Sequence, residues 1–114
     1  MIFLLFACTT GTNYPRKKAE ATCKTVYTCI DPDVIEDFLY DNIDECMDEL
    51  ESQYKNETSY EAFEEGDKDF FIDNADACLQ EILEVQNDSD CDGNMDPISF
   101  WLDITTEECS EVYQ

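Results

Sequence analysis

The chain has 114 residues, of which 29 are Asp or Glu, 6 are Lys or Arg and none is His, so its formal net charge is −23. This balance argues against nucleic acid as a partner, because phosphate binding needs clustered Lys and Arg, and the absent histidine removes His-based triads, His acid–base catalysis and His–zinc sites. The length fits one domain, and seven Cys, seven Phe, six Tyr and one Trp argue for a small stapled core rather than the disorder that charge alone suggests.

The first segment is an uncharged apolar run, Met1-Ile2-Phe3-Leu4-Leu5-Phe6-Ala7, which stops at Cys8 and turns polar at Thr9-Thr10-Gly11. It is far shorter than the roughly 20 residues of a membrane span. Leu5-Phe6-Ala7-Cys8 resembles the cleavage box of a bacterial lipoprotein signal peptide. The resemblance implies that residues 1–7 are the remnant of such a peptide and that Cys8 carries lipid (palmitate among its acyl chains). It places the protein on the cell envelope, with an unanchored secreted form as the alternative. A full signal peptide has a basic n-region and a longer apolar core, so a start upstream of Met1 is expected. Setting Cys8 apart leaves Cys23, Cys29, Cys46, Cys78, Cys91 and Cys109, an even set suited to disulfides in an oxidising compartment.

Residues 8–18 contain Gly11, Pro15 and the basic run Arg16-Lys17-Lys18. They read as a lipidated cysteine plus a flexible tether. The basic run reads as solvated, with anionic headgroups beside the anchor as its functional use. The acidic domain is then residues 19–114. Helical spacing begins near Ala19, where Ala19, Cys23, Val26, Tyr27 and Ile30 share a stripe. Asp31-Pro32 breaks and restarts the chain as an N-cap followed by Pro at N1, and Val34, Ile35, Phe38 and Leu39 give a second short apolar face. Asn42 with Glu45 forms a capping box for a helix carrying Ile43, Cys46, Met47, Leu50 and Tyr54. Tyr60 and Phe63 mark a helix of one to two turns closed by Gly66.

Phe70-Phe71-Ile72 reads as a packed staple ahead of Asp73. The strongest helix then spans 74–85, with Ala75, Cys78, Leu79, Ile82 and Val85 inward. A polar loop follows over 87–96. Pro97 to Leu102 is a helical turn capped by Asp96, and Phe100-Trp101-Leu102 within it reads as core, with an exposed recognition patch as the competing reading. Thr105 with Glu108 opens a last short helix. No window alternates with period two, so the predicted fold class is all-α: a small array of short helices cross-linked by about three disulfides. Six cysteines leave fifteen connectivities open. The expected set joins Cys29 to Cys46, Cys78 to Cys91 and Cys23 to Cys109.

The spacing Cys23-(x5)-Cys29, with Asp44-Glu45-Cys46, Ala77-Cys78-Leu79, Cys91 and Glu107-Glu108-Cys109-Ser110-Glu111-Val112, resembles the small cysteine-rich lipoproteins predicted in myxobacterial-type genomes. The resemblance covers about residues 20–113. It implies an envelope location and an α-helical fold, and brings no catalytic residues with it.

One local motif points to chemistry. In Asp88-Ser89-Asp90-Cys91-Asp92-Gly93-Asn94-Met95-Asp96, oxygen ligands stand at loop positions 1, 3 and 5, with Gly at 6. Over these nine residues the chain resembles EF-hand and thrombospondin-type calcium loops. Asp88, Asp90 and Asp92 would supply side chains, Asn94 a carbonyl and Asp96 a water-mediated contact. Against it, Ser99 stands where an EF-hand needs a bidentate Glu, and Pro97 interrupts the exit; the competing reading is an Asx-rich turn. No other cofactor is indicated. Bridged cysteines are neither nucleophiles nor zinc ligands, and carboxylate pairs are too abundant to mark a glycosidase site. The chain therefore reads as a non-enzyme with a structural or binding role. Its expected partners are a membrane, through the anchor, and a basic protein or a cation.

Overall fold

The computed structural model describes residues 9–104 and 106–114, without the side chain of Phe38. Among these the fold is all-α, with seven helices: α1 (Tyr14–Cys29), α2 (Pro32–Phe38), α3 (Ile43–Lys55), α4 (Thr58–Glu64), α5 (Ile72–Glu84), α6 (Pro97–Ile104) and α7 (Glu107–Ser110). A 3-10 turn, Val85–Asn87, extends α5. The only extended pairing among the described residues is a bridge between Phe70 and Tyr113.

α1 is the central helix, and it starts earlier than its apolar stripe predicts. The segment read as a tether is ordered from Thr9. Thr10 and Asn13 cap each other, with Thr10 N donating to Asn13 Oδ1 (2.7 Å) and Asn13 N to Thr10 Oγ1 (3.2 Å). Tyr14 N then bonds the Thr10 carbonyl, and Pro15 sits in the first turn, where its missing N–H costs nothing. Tyr14 and Pro15 are buried. Pro15 thus marks a helix start rather than a linker.

The expected inward stripe of α1 holds at Ala19, Cys23, Val26 and Ile30, all within 1% of full burial. Two threonines are buried with it, and Thr25 shows how: its hydroxyl donates to the Ala21 carbonyl (2.9 Å) and accepts from Gln86 Nε2 (3.0 Å). α3 runs antiparallel to α1, since Lys18 faces Tyr54 while Cys23 faces Cys46. α5 runs parallel to α1, since Tyr14 meets Cys78 and Thr25 meets Ile82 and Gln86.

Capping follows the sequence closely at three ends. Asp31 accepts from Asp33 N at the start of α2, and Asn42 accepts from Glu45 N at the start of α3. The Glu45 carboxylate reaches to Asp41 rather than to Asn42. After α4, Gly66 N bonds the Phe63 carbonyl and Asp67 N the Ala62 carbonyl, the two bonds of a Schellman ending. Gly66 itself has φ +84°, a conformation that favours glycine. At the C-terminal end the cap shifts by one residue. Thr106, not Thr105, accepts from Cys109 N and opens α7, and α7 stops at Ser110, short of the expected Val112 and Tyr113.

The six cysteines form three disulfides, and none is one of the expected pairs. Cys23 bonds Cys46, Cys29 bonds Cys91 and Cys78 bonds Cys109, with Cα separations of 6.0, 4.2 and 4.7 Å. The expected pairs, Cys29–Cys46, Cys78–Cys91 and Cys23–Cys109, are corrected by helix phase. Cys23 and Cys46 are fully buried on the facing surfaces of antiparallel α1 and α3. Cys29 is the last residue of α1 and bonds Cys91 in the 88–96 loop instead.

A cleft beside Lys18 as the candidate functional site

A cleft of about 740 Å³ opens where α1, the α3–α4 junction and the α6–α7 segment meet. That volume falls within the range of small-molecule sites. The first turns of α1 contribute Tyr14, Pro15 and Lys18 to its wall, the junction contributes Tyr54 and residues 56–59, and Trp101, Ile104 and Tyr113 come from the C-terminal part.

The charge of this wall departs from that of the molecule. Acids make up 29 of 114 residues, yet Glu57 is the only carboxylate among the described lining residues. Lys18 is the only cation among the described lining residues. Its Nζ lies 4.3 Å from the centre of the Tyr54 ring, a cation–π contact. No carboxylate comes within ion-pair distance of Lys18 among the described residues, whereas Arg16 is bonded to Asp48 and Glu51, and Lys55 to Glu51. Burial pushes the Lys18 ammonium below the ordinary lysine range, and the Glu57 charge only partly opposes this.

The aromatic wall is fixed by its hydroxyl groups. Tyr14 Oη donates to the Cys78 sulfur (3.1 Å), Tyr54 Oη shares a 3.4 Å hydrogen bond with Thr22 Oγ1, and Tyr113 Oη donates to the Gly11 carbonyl (2.7 Å). Burial raises the pKa of all three phenols, that of Tyr54 to about 12. They stay protonated at neutral pH and add no charge to the cleft. The result is a neutral, ring-lined concavity with one under-solvated ammonium in its wall.

The residues proposed for calcium are arranged differently. Asp88, Asp90, Asp92, Asn94 and Asp96 are all exposed. Asp92 Oδ1 accepts from Asn94 N and Asp96 Oδ2 from Ser99 Oγ, the bonds of an Asx turn and a helix start. Among the described residues no group of three or more acids or cysteines is placed to hold a metal ion. Cys91 is tied to Cys29, and Met95 is buried with its N–H on the Cys29 carbonyl; the loop is shaped by these two inward ties.

Cys8, the expected lipid site, lies outside the described residues, as do residues 1–7. The apolar triplet divides: Phe100 is fully buried, Trp101 half-buried, and Leu102 71% exposed. Lys18 was hidden by its setting in the basic run 16–18. The signal that reveals it is spacing, because Tyr14, Lys18 and Thr22 recur every four residues and share a face once the helix is known to begin at Tyr14. Among the described residues no helix is long and apolar enough to cross a membrane. Compared with protein-family models, with curated protein sequences and with solved structures, the chain matches none.

Proposed function

We propose that this chain is a lipid-anchored protein of the bacterial cell envelope, with acyl chains on Cys8 and a disulfide-stapled acidic domain that has a structural or binding role. The observation that carries this reading is the division of the sulfurs. Six of the seven cysteines close pairwise into three disulfides, and the one left is Cys8 of Leu5-Phe6-Ala7-Cys8. Disulfides persist in oxidising compartments, where a lipoprotein signal of this kind delivers its cargo.

The reading has a geometric consequence. Thr9 is already buried, so the domain follows the anchor with no spacer and stands at the membrane surface. Its excess of carboxylates is repelled by anionic headgroups, which leaves the outward face to meet a basic protein or a cation-rich partner.

Palmitate labelling of cells that express the gene from its own locus tests the reading. Label is expected in the wild-type protein and absent in Cys8→Ser. An unlabelled wild-type protein of intact mass removes the anchor and leaves a secreted stapled domain.

A further inference from the structure

We propose that the cleft beside Lys18 is a binding site for a small, ring-bearing organic monoanion, with the anionic group on the Lys18 ammonium and the ring between Tyr54 and Trp101. The inference is independent of the lipid anchor.

Three observations meet here. First, shape: a concavity of about 740 Å³ suits a ligand of one or two rings. Second, chemistry of the wall: Tyr54 and Trp101 are part-exposed rings, backed by the nearly buried Tyr14, Tyr113 and Ile104. Flat hydrocarbon gains most against such a wall. Third, charge: a chain of net charge −23 repels anions everywhere that its carboxylates are dense. This wall carries one ammonium and one carboxylate, and the ammonium has a ring rather than a carboxylate as its nearest partner. A half-buried cation without an ion pair gains from any anion that replaces its lost water.

Glu57 limits the ligand's charge. It lies close enough to act on Lys18, so a second negative charge would meet repulsion with no further cation to offset it. A monoanion is therefore preferred to a dianion. The Ser59 hydroxyl in the lining supplies an additional donor to the anionic oxygen atoms, whereas the Ser110 hydroxyl is already donated to the Glu107 carbonyl.

The preference runs against the molecule's overall field, and that makes it testable. The probes are 1-naphthoate, 1-naphthylmethanol and 1-naphthylmethylammonium, which share a ring and differ in charge. Each is titrated calorimetrically into the full oxidised chain carrying Cys8→Ser, which removes any need for detergent. Naphthoate is expected to saturate at one per chain and to bind more tightly than the ammonium, the reverse of what net charge alone dictates. Lys18→Gln is expected to weaken naphthoate about tenfold, the scale of one charge-assisted contact, and to leave naphthylmethanol within about twofold. Lys18→Arg is expected to retain the anion preference. The proposal is overturned by tighter binding of the ammonium than of naphthoate, by unsaturable naphthoate binding, or by equal naphthoate affinity in the wild type and a folded Lys18→Gln protein. The wild-type charge series decides the matter even where Lys18→Gln does not fold.

Discussion

Two segments without regular helix are held in opposite ways. Where residues 11–14 meet the segment around Tyr113, rings do the work. Tyr113 stands 5.1 Å from Phe63, 5.6 Å from Tyr60, and 5.8 Å from both Tyr14 and Phe70 between ring centres. Paired backbone bonds between Asp69 and Gln114 add to this, as does the bond from Phe71 N to the Val112 carbonyl. In the 88–96 loop the acids point to solvent, and order comes from one covalent tie, Cys29–Cys91, and one buried side chain, Met95. Close packing excludes water and fixes many atoms at once. A disulfide fixes only one point and acts mainly by restricting the unfolded chain. An acidic segment with little apolar surface has only the second route.

The largest expected effect breaks the covalent route. Cys29–Cys91 closes the longest interval, a separation of 62 residues against 23 and 31 for the other bridges. Cys29→Ser/Cys91→Ser should cost about 4 kcal/mol in urea unfolding and Cys23→Ser/Cys46→Ser slightly less. Amide exchange in the loop should rise only in the former. Unchanged loop protection would show that Met95 alone orders the segment. Breaking the packed route comes next: Tyr113→Ala should cost about 3 kcal/mol, because four ring contacts go at once.

Gly11 sharpens the same region. A Cβ there would overlap the Phe63 ring, and that ring is held by Tyr60, Phe70 and Tyr113. Gly11→Ala should cost about 1–2 kcal/mol, measurable as a lower urea midpoint at unchanged slope. Tyr113→Phe, which loses only the bond to the Gly11 carbonyl, should cost about 1 kcal/mol.

Alkaline pH separates the two regions further. The phenols of Tyr14, Tyr54 and Tyr113 have raised pKa values in the fold. The unfolded chain therefore loses these protons first, near pH 10. Their stabilisation is complete below pH 10 and falls as pH rises toward the Tyr54 value of about 12. Melting temperature should decline over that window, less steeply in Tyr54→Phe. The smallest effect belongs to the loop acids. Asp90→Asn should change stability by no more than about 0.5 kcal/mol, and calcium should shift melting equally in the variant and the wild type. A calcium response lost in Asp90→Asn would assign the loop as a metal site.

Much of the secondary structure was legible from local chemistry. Asp31-Pro32, Asn42 and Gly66 act within one turn of chain, and each does what its side chain or backbone freedom requires. Over residues 9–18 a tether gives way to a capped helix start, because Pro15 and Gly11 carry two meanings. Gly11 is needed for close approach to Phe63, a residue 52 positions away in the sequence, and no local pattern reports that. The cleft was legible only in its parts. Lys18 in a basic run looks solvated until Tyr54, from another helix, lies beneath it.

The amino-acid sequence by itself determined the all-α class, the helix ends at Asp31, Asn42 and Gly66, and the even set of six bridging cysteines, because these depend on neighbours within a turn or on counting. The tertiary structure alone decided which sulfurs meet and that Lys18 lies against a ring in a cleft wall. Both follow from helix phase and packing direction: α3 is antiparallel to α1, so Cys46 falls opposite Cys23 and Tyr54 opposite Lys18. Small changes in the register of two helices would reassign every such pair while leaving the helices themselves intact.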